Sequence, residues 1–188
     1  MLVRFVGLIF LCSALIGCTM EIDTVTNTTS NTTNRNNGDR PQTGQVTVSN
    51  VPAGEVARVT RVVDGDTINV TMNGQNYSVR YIGVNTPERD EACYQDAKNA
   101  NAALVEGQEV TLVRDVSDTD QYDRLLRYVY VGNRFVNAEL IANGWGERVV
   151  YNPDRGQADY FLQLETNAQQ NGLGCHPTGI FNDGSTTR

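Results

Sequence analysis

Residues 67–84 read TINVTMNGQNYSVRYIGV, and this stretch decides the fold class. Thr67 to Met72 is rich in Thr, Ile and Val, side chains that suit a pleated, half-buried surface. Asn73-Gly74 supplies the two residues that accept positive φ in a tight hairpin turn, and Asn76 to Val84 makes the return strand. Upstream, Glu55 to Val63 has the same character; downstream, Glu109 to Val113 and Leu125 to Val131 add further strands. Gly132-Asn133 marks a second hairpin turn before Arg134 to Val136. Cys93, Ala97, Ala100 and Leu104 recur at helical spacing and predict a helix over 89–104, stopped by Gly107. Asn137 to Gly144 predicts a short helix N-capped by Asn137, and 154–171 predicts a last one ending at Gly172. Short strands first, with helices interleaved late, give a mainly β fold: a small barrel with about three helices packed on it.

The chain has 188 residues, enough for one domain with a proper core. Its 22 acidic residues outnumber 15 basic ones, for a net charge of −7. That excludes a protein held to nucleic acid by a broad basic surface. It leaves nucleic acid open as a substrate gripped by a few arginines.

The N-terminus reads as an address. Met1 to Arg4 is positive, and Phe5 to Gly17 is apolar apart from Ser13, too short for a mature membrane span but right for a secretory signal. Leu15-Ile16-Gly17-Cys18 resembles the lipobox of bacterial-type lipoproteins. The resemblance implies a signal peptide over 1–17, cleavage before Cys18, and lipid on that residue. The alternative is an ordinary signal that ends near a cysteine. The expected location is extracytoplasmic, anchored to a membrane or cell surface through lipid on Cys18, since two or more acyl chains hold firmly. Residues 18–52 then form an Asn/Thr-rich tether, too poor in apolar side chains to repay its ordering entropy. The folded domain is expected over 53–181, with a tail over 182–188. Cys12 leaves with the signal and Cys18 takes the lipid, so Cys93 and Cys175 remain in an oxidising compartment and are expected to pair. Two separate buried thiols are the alternative.

Four local patterns carry possible chemistry, and each has a plain reading beside it. Asp64-Gly65-Asp66 puts two carboxylates on a tight turn, which suits a hard divalent cation and equally a simple turn. Thr86-Pro87-Glu88 reads as a helix start, with Thr86 as cap and Glu88 facing the helix dipole. Arg80 lies on a strand that is apolar on both faces and so must find an anion, either a carboxylate of the fold or a phosphate. Arg124 closes the run DQYDR at 120–124, where acidic neighbours can pair it as a surface charge.

Together and in order, Asp64-Gly65-Asp66-Thr67, Arg80, Val84-Asn85-Thr86-Pro87-Glu88 and Asp120-x-Tyr122-x-Arg124 resemble the thermonuclease (staphylococcal nuclease-like) family, over about 53–174. The resemblance implies a five-stranded OB-fold barrel with three helices and calcium-dependent endonucleolytic hydrolysis of DNA and RNA. It makes Asp66 a ligand of one calcium ion, with the Thr86 backbone carbonyl as another. Asn85 stands where the family carries an Asp ligand, and an amide that brings no charge predicts weaker calcium binding. Glu88 matches the general base, Arg80 and Arg124 the phosphate-binding arginines, and Tyr122 and Tyr151 tyrosines near the nucleotide phosphate. Val149 replaces a further tyrosine, and Asp123 a common glycine. These parts are what phosphodiester hydrolysis needs: an activated water, neutralised phosphate charge and fixed geometry. The alternative is a non-catalytic OB-type nucleic-acid-binding surface lipoprotein, yet Asp66, Arg80, Glu88 and Arg124 all stand. A monomer without a protein partner is expected.

Overall fold

The Asn73-Gly74 turn organises the molecule. In the computed structural model, which describes residues 44–182, β2 (Thr67–Met72) and β3 (Gln75–Tyr81) pair antiparallel, with Thr67 opposite Arg80. Asn73 and Gly74 take φ of 52° and 78°, as a hairpin turn matched to strand twist requires. β1 (Glu55–Val62) pairs with β2 on one edge and β5 (Glu109–Val113) on the other. Its register slips between Val59 and Arg61, and such a bulge lets a strand bend around a barrel. β6 (Leu125–Val131) pairs antiparallel with β5 and parallel with β3, setting Leu126 opposite Arg80. That parallel pairing closes a five-stranded barrel in the order β3-β2-β1-β5-β6. The expected OB-type barrel with three helices is the fold observed.

The predicted strand over 76–84 is two pieces. Gly83, at φ 77°, turns the chain out of β3, and β4 (Val84–Asn85) pairs with β8 (Glu147–Arg148) in a separate small sheet. β7 (Arg134–Phe135) extends the barrel sheet beyond β6.

α1 (Tyr94–Val105) starts later than periodicity predicts, and its buried stripe is Ala97, Asn101 and Val105. The preceding loop is held elsewhere: Cys93 sits at φ 70° and is bonded to Cys175 by a disulfide with Cα atoms 5.7 Å apart. α2 (Val136–Ala142) contains Asn137 rather than being capped by it. The fully buried Asn137 side chain accepts the Val129 N–H at 2.8 Å and donates to the Ile82 carbonyl at 2.9 Å, joining strand, turn and helix. α3 (Ala158–Gln170) starts after a turn over 151–154, whose Asp154 carboxylate is committed to backbone N–H groups.

Ile68, Val70, Val79, Val110 and Val129 are fully or almost fully buried and come from the barrel strands. Phe135, Leu140, Ile141 and Phe161 join β7, α2 and α3, with the Phe135 and Phe161 rings 5.7 Å apart. Full burial of such a side chain contributes about 1.5–3 kcal/mol.

The described residues include some that composition assigns to the tether. Val46 is buried, its carbonyl accepts the Phe135 N–H at 2.9 Å, and Val48 donates to Asn133 at 2.9 Å. Valines at alternate positions let this segment add to the β7 edge. The stretch expected to be a signal over 1–17, the expected lipid site Cys18 and the tail beyond 182 lie outside the described residues. Among those described, no helix is long and apolar enough to cross a membrane.

Candidate active site

The turn before β2 puts Asp66 against the start of the loop that follows β4. Gly65 makes this approach possible, since a Cβ there would lie 2.6 Å from Thr86 Oγ1. Asp66 Oδ2 accepts the Thr86 N–H at 2.8 Å and the Thr86 hydroxyl at 2.9 Å. Thr86 therefore serves the carboxylate and not a helix. Asp66 Oδ1 meets Arg80 Nη1 at 2.5 Å and the Thr67 hydroxyl at 3.1 Å. The anion that Arg80 requires is thus, within the protein, Asp66.

Arg80 gathers further oxygens. Nη1 donates to the Val84 carbonyl at 2.9 Å, and Nη2 lies 3.4 Å from Asn85 Oδ1. One cationic group is therefore surrounded by a carboxylate, a carbonyl and an amide oxygen, the hard ligands that calcium takes. The residues present fit such an ion: Asp66 and Asn85 offer side-chain oxygens and Thr86 a carbonyl beside them. Of these donors only Asp66 is a carboxylate, the amide of Asn85 and the backbone carbonyl being neutral, and among the described residues no three His, Cys, Asp or Glu side chains gather to hold a metal. Asp64, half-buried beside it, accepts the Asp66 N–H at 3.1 Å. Burial, and then the Asp66 charge, pushes the Asp64 carboxyl up to about 6. Asn101 of α1 donates to the Asp64 carbonyl at 2.9 Å and accepts the buried Tyr81 hydroxyl at 3.0 Å, fixing the turn from behind.

The β3–β6 seam carries the second arginine to the same place. Leu126 faces Arg80 across the seam and Arg124 precedes it by two residues, so both arginines line one cleft of about 580 Å³. Asp120 holds Arg124 twice, accepting its N–H at 3.0 Å and its Nε–H at 2.7 Å. Burial alone would raise the Asp120 carboxyl, but the bonds from Arg124 and the Tyr122 N–H outweigh it and hold the group below its ordinary range. Asp123 takes φ 60°, a left-handed turn position that Asp tolerates.

Tyr122, 70% exposed, lies with its ring centroid 5.5 Å from the Arg124 guanidinium carbon, and Tyr151 stands on the same cleft. Val149 is buried instead of facing the cleft. Asp154 ties the Tyr151 turn to the barrel by accepting the Val116 and Ser117 N–H groups at 2.9 and 2.8 Å. Glu88 follows Thr86 on the exposed loop before α1; its N–H donates to Glu91 at 2.7 Å, and its carboxylate pairs with none of Asp66, Arg80 and Arg124. The structure therefore brings together Asp66, Arg80, Asn85 and Thr86, sets Arg124, Tyr122 and Tyr151 along the adjoining cleft, and leaves Glu88 apart from both.

Sequence reasoning missed Asp154 and Glu147, and it offered Asp120 only as one acidic neighbour that could pair Arg124. The Asp120–Arg124 spacing was the one available signal, and it reads equally as a surface pair. Glu147 accepts a 2.8 Å bond from Asn85 across 62 residues, a separation no local pattern reveals.

A family model described as staphylococcal nuclease homologue matches residues 78–175, a span that holds Arg80, Asn85, Thr86, Glu88 and Arg124 and begins after Asp66. The chain is 39% identical over 121 residues to the SPbeta prophage-derived endonuclease YokF of Bacillus subtilis (strain 168), a match covering 60% of this chain and 41% of that protein. Endonuclease YncB of the same organism is 38% identical over 121 residues, covering 60% of this chain and 57% of its own. The thermonuclease of Staphylococcus intermedius is 33% identical over 126 residues, covering 64% of this chain and 75% of its own. The chain thus spans about half the length of the two Bacillus relatives.

Proposed function

Because the chain belongs to the staphylococcal nuclease family, we propose that it is a calcium-dependent endonuclease that hydrolyses phosphodiester bonds of DNA and RNA, held outside the cytoplasm by lipid on Cys18. Arg80 is the observation that carries this reading. Its guanidinium touches the Asp66 carboxylate at 2.5 Å and lines the same cleft as Arg124. A phosphate in that cleft meets two arginines, and each can neutralise charge that builds on the phosphoryl oxygens, an effect typically worth 10²–10³ in rate for one such donor. Tyr122 and Tyr151 supply flat, exposed faces beside it. Asp120 keeps Arg124 aimed by its two bonds. Glu88 supplies the general base; its carboxylate is unclaimed by Asp66, Arg80 and Arg124 and stands exposed on the loop two residues after Thr86. Asp66, Asn85 and the Thr86 carbonyl would hold the calcium ion, which would supply positive charge against the phosphate.

The test is incubation of the full-length protein with plasmid, single-stranded DNA and RNA, with calcium and with chelator. Cleavage is expected with calcium only. Glu88→Gln, Arg80→Ala and Arg124→Ala should each lose on the order of 10²-fold or more in turnover. Full activity in all three sinks the assignment, and binding without cleavage by the wild type supports a binding module instead. Cys18→Ala should move the protein out of the membrane fraction with cleavage unchanged.

A further inference from the structure

Asn85 and Glu147 stand opposite one another in the β4–β8 ladder. The contact is tight: a Cβ on the neighbouring Gly146 would lie 2.9 Å from Val84 Cγ1 and 3.1 Å from the Asn85 carbonyl oxygen. Asn85 is wholly buried and Glu147 is 5% exposed. Asn85 Nδ2 donates to Glu147 Oε1 at 2.8 Å, while Asn85 Oδ1 turns toward Arg80. A primary amide carries donors at one end and an acceptor at the other, so sterically it can present either end to the Asp66–Arg80 cluster. A carboxylate offers acceptors, and a carboxylate behind Asn85 therefore selects one orientation, with N–H toward Glu147 and oxygen toward the cluster.

We propose that Glu147 is a positioning residue for the cation site: by accepting the Asn85 N–H it locks the amide with its oxygen presented as a ligand. This inference rests on the calcium reading given above. Partners that stand behind a metal ligand fix its orientation and raise its donor strength, and their loss typically costs 10–100-fold in metal affinity. The pair also alters what an aspartate at 85 would do. With Glu147 in place, Asn85→Asp removes the N–H that Glu147 Oε1 accepts and leaves acceptor oxygens facing each other on one ladder. The expectation that a charged ligand at 85 tightens calcium then holds only once residue 147 can donate, as in Glu147→Gln.

The experiment is calorimetric calcium titration of the full-length wild type, Glu147→Gln, Asn85→Asp and the double variant, with Tm measured in chelator and in saturating calcium. Glu147→Gln is expected to bind calcium tenfold or more weakly, and to lose more Tm in calcium than in chelator. Asn85→Asp should bind no tighter than wild type, and the double variant should bind tighter than Asn85→Asp alone. A Glu147→Gln protein that binds calcium like wild type, with Tm lowered equally in both buffers, shows a merely structural Glu147 and overturns the inference. Should Glu147→Gln fail to fold, Asn85→Asp decides alone, since tenfold tighter binding by that variant overturns it too. A wild type that binds no calcium overturns the calcium reading itself, an outcome visible apart from either of these.

Discussion

Gly65 shows how a single residue sets the site. A methyl group there would meet Thr86 Oγ1, Cβ and Cγ2 at 2.6–2.7 Å, so Gly65→Ala must push Thr86 off the Asp66 carboxylate. Overpacking of this kind costs about 1–3 kcal/mol, and here it also releases the two bonds that orient Asp66. A lower Tm together with weaker calcium activation is expected, and an unchanged Tm would show that Thr86 yields freely. Asp154 makes a pH-dependent prediction. Burial alone would raise its carboxyl, but the Ser117 hydroxyl and N–H and the Val116 N–H outweigh burial and hold it below the ordinary range. A folded-state value below the unfolded one gives stability that is full above about pH 4 and lost as pH falls through the folded value. Asp154→Asn should therefore be less stable by about 1.5–3 kcal/mol at neutral pH, and the gap should close below about pH 4. Unfolding midpoints of both proteins across pH check this, and a constant gap down to strong acid refutes it. At this scale the sequence reading succeeds where a residue's need is intrinsic. Arg80 demands an anion wherever its strand is buried, whereas Asp154 and Glu147 take their meaning from groups 37 and 62 residues away.

Elements were legible where their signal is local and contested where a side chain had two uses. The β2–β3 hairpin follows from Asn73-Gly74 and alternation alone. The start of α1 does not, because Thr86-Pro87-Glu88 carries a good helix-start pattern and Asp66 outbids the helix for Thr86. Asn137 is a second such case, since its amide is worth more across the Val129–Ile82 junction than as a cap. Asn137→Ala would leave the Val129 N–H and the Ile82 carbonyl with one partner fewer in a dry interior. We expect a loss of about 2–4 kcal/mol in denaturant unfolding, and a loss under about 1 kcal/mol would mean other groups replace the amide. The Cys93–Cys175 disulfide follows from compartment and elimination, and it ties the end of the loop before α1 to the segment beyond α3. With a separation of 82 residues, its removal should cost about 4 kcal/mol through the unfolded chain. Matched unfolding of the oxidised protein and Cys93→Ser/Cys175→Ser measures that difference, and equal stability would refute it.

At the scale of the whole molecule, barrel and charge act on the same cleft. Barrel closure depends on the parallel β3–β6 pairing, which joins Val79 to Leu125 and could not be read from periodicity; the family resemblance supplied it, and hence the convergence of Arg80 and Arg124. The docking of Val46 and Val48 on the β7 edge was likewise invisible, because two valines in a polar stretch carry too weak a signal. Charge was legible at once: the chain carries a net −7, so the field it presents at long range repels a polyanion. On the proposed function, attraction comes from the cleft, where Arg80 and Arg124 would meet the phosphates. Each phosphate neutralised on duplex DNA contributes about −0.9 to the slope of log affinity against log salt, so two give about −1.8. Salt also screens the overall repulsion, and that opposes the loss. With calcium fixed and saturating, kcat/KM on duplex DNA should therefore fall with a slope no steeper than about −2, and kcat should change less. Initial rates at subsaturating substrate across a tenfold range of salt measure it. A slope steeper than about −4 would require several further phosphate contacts, and would place a basic track on this acidic surface that the cleft alone does not provide.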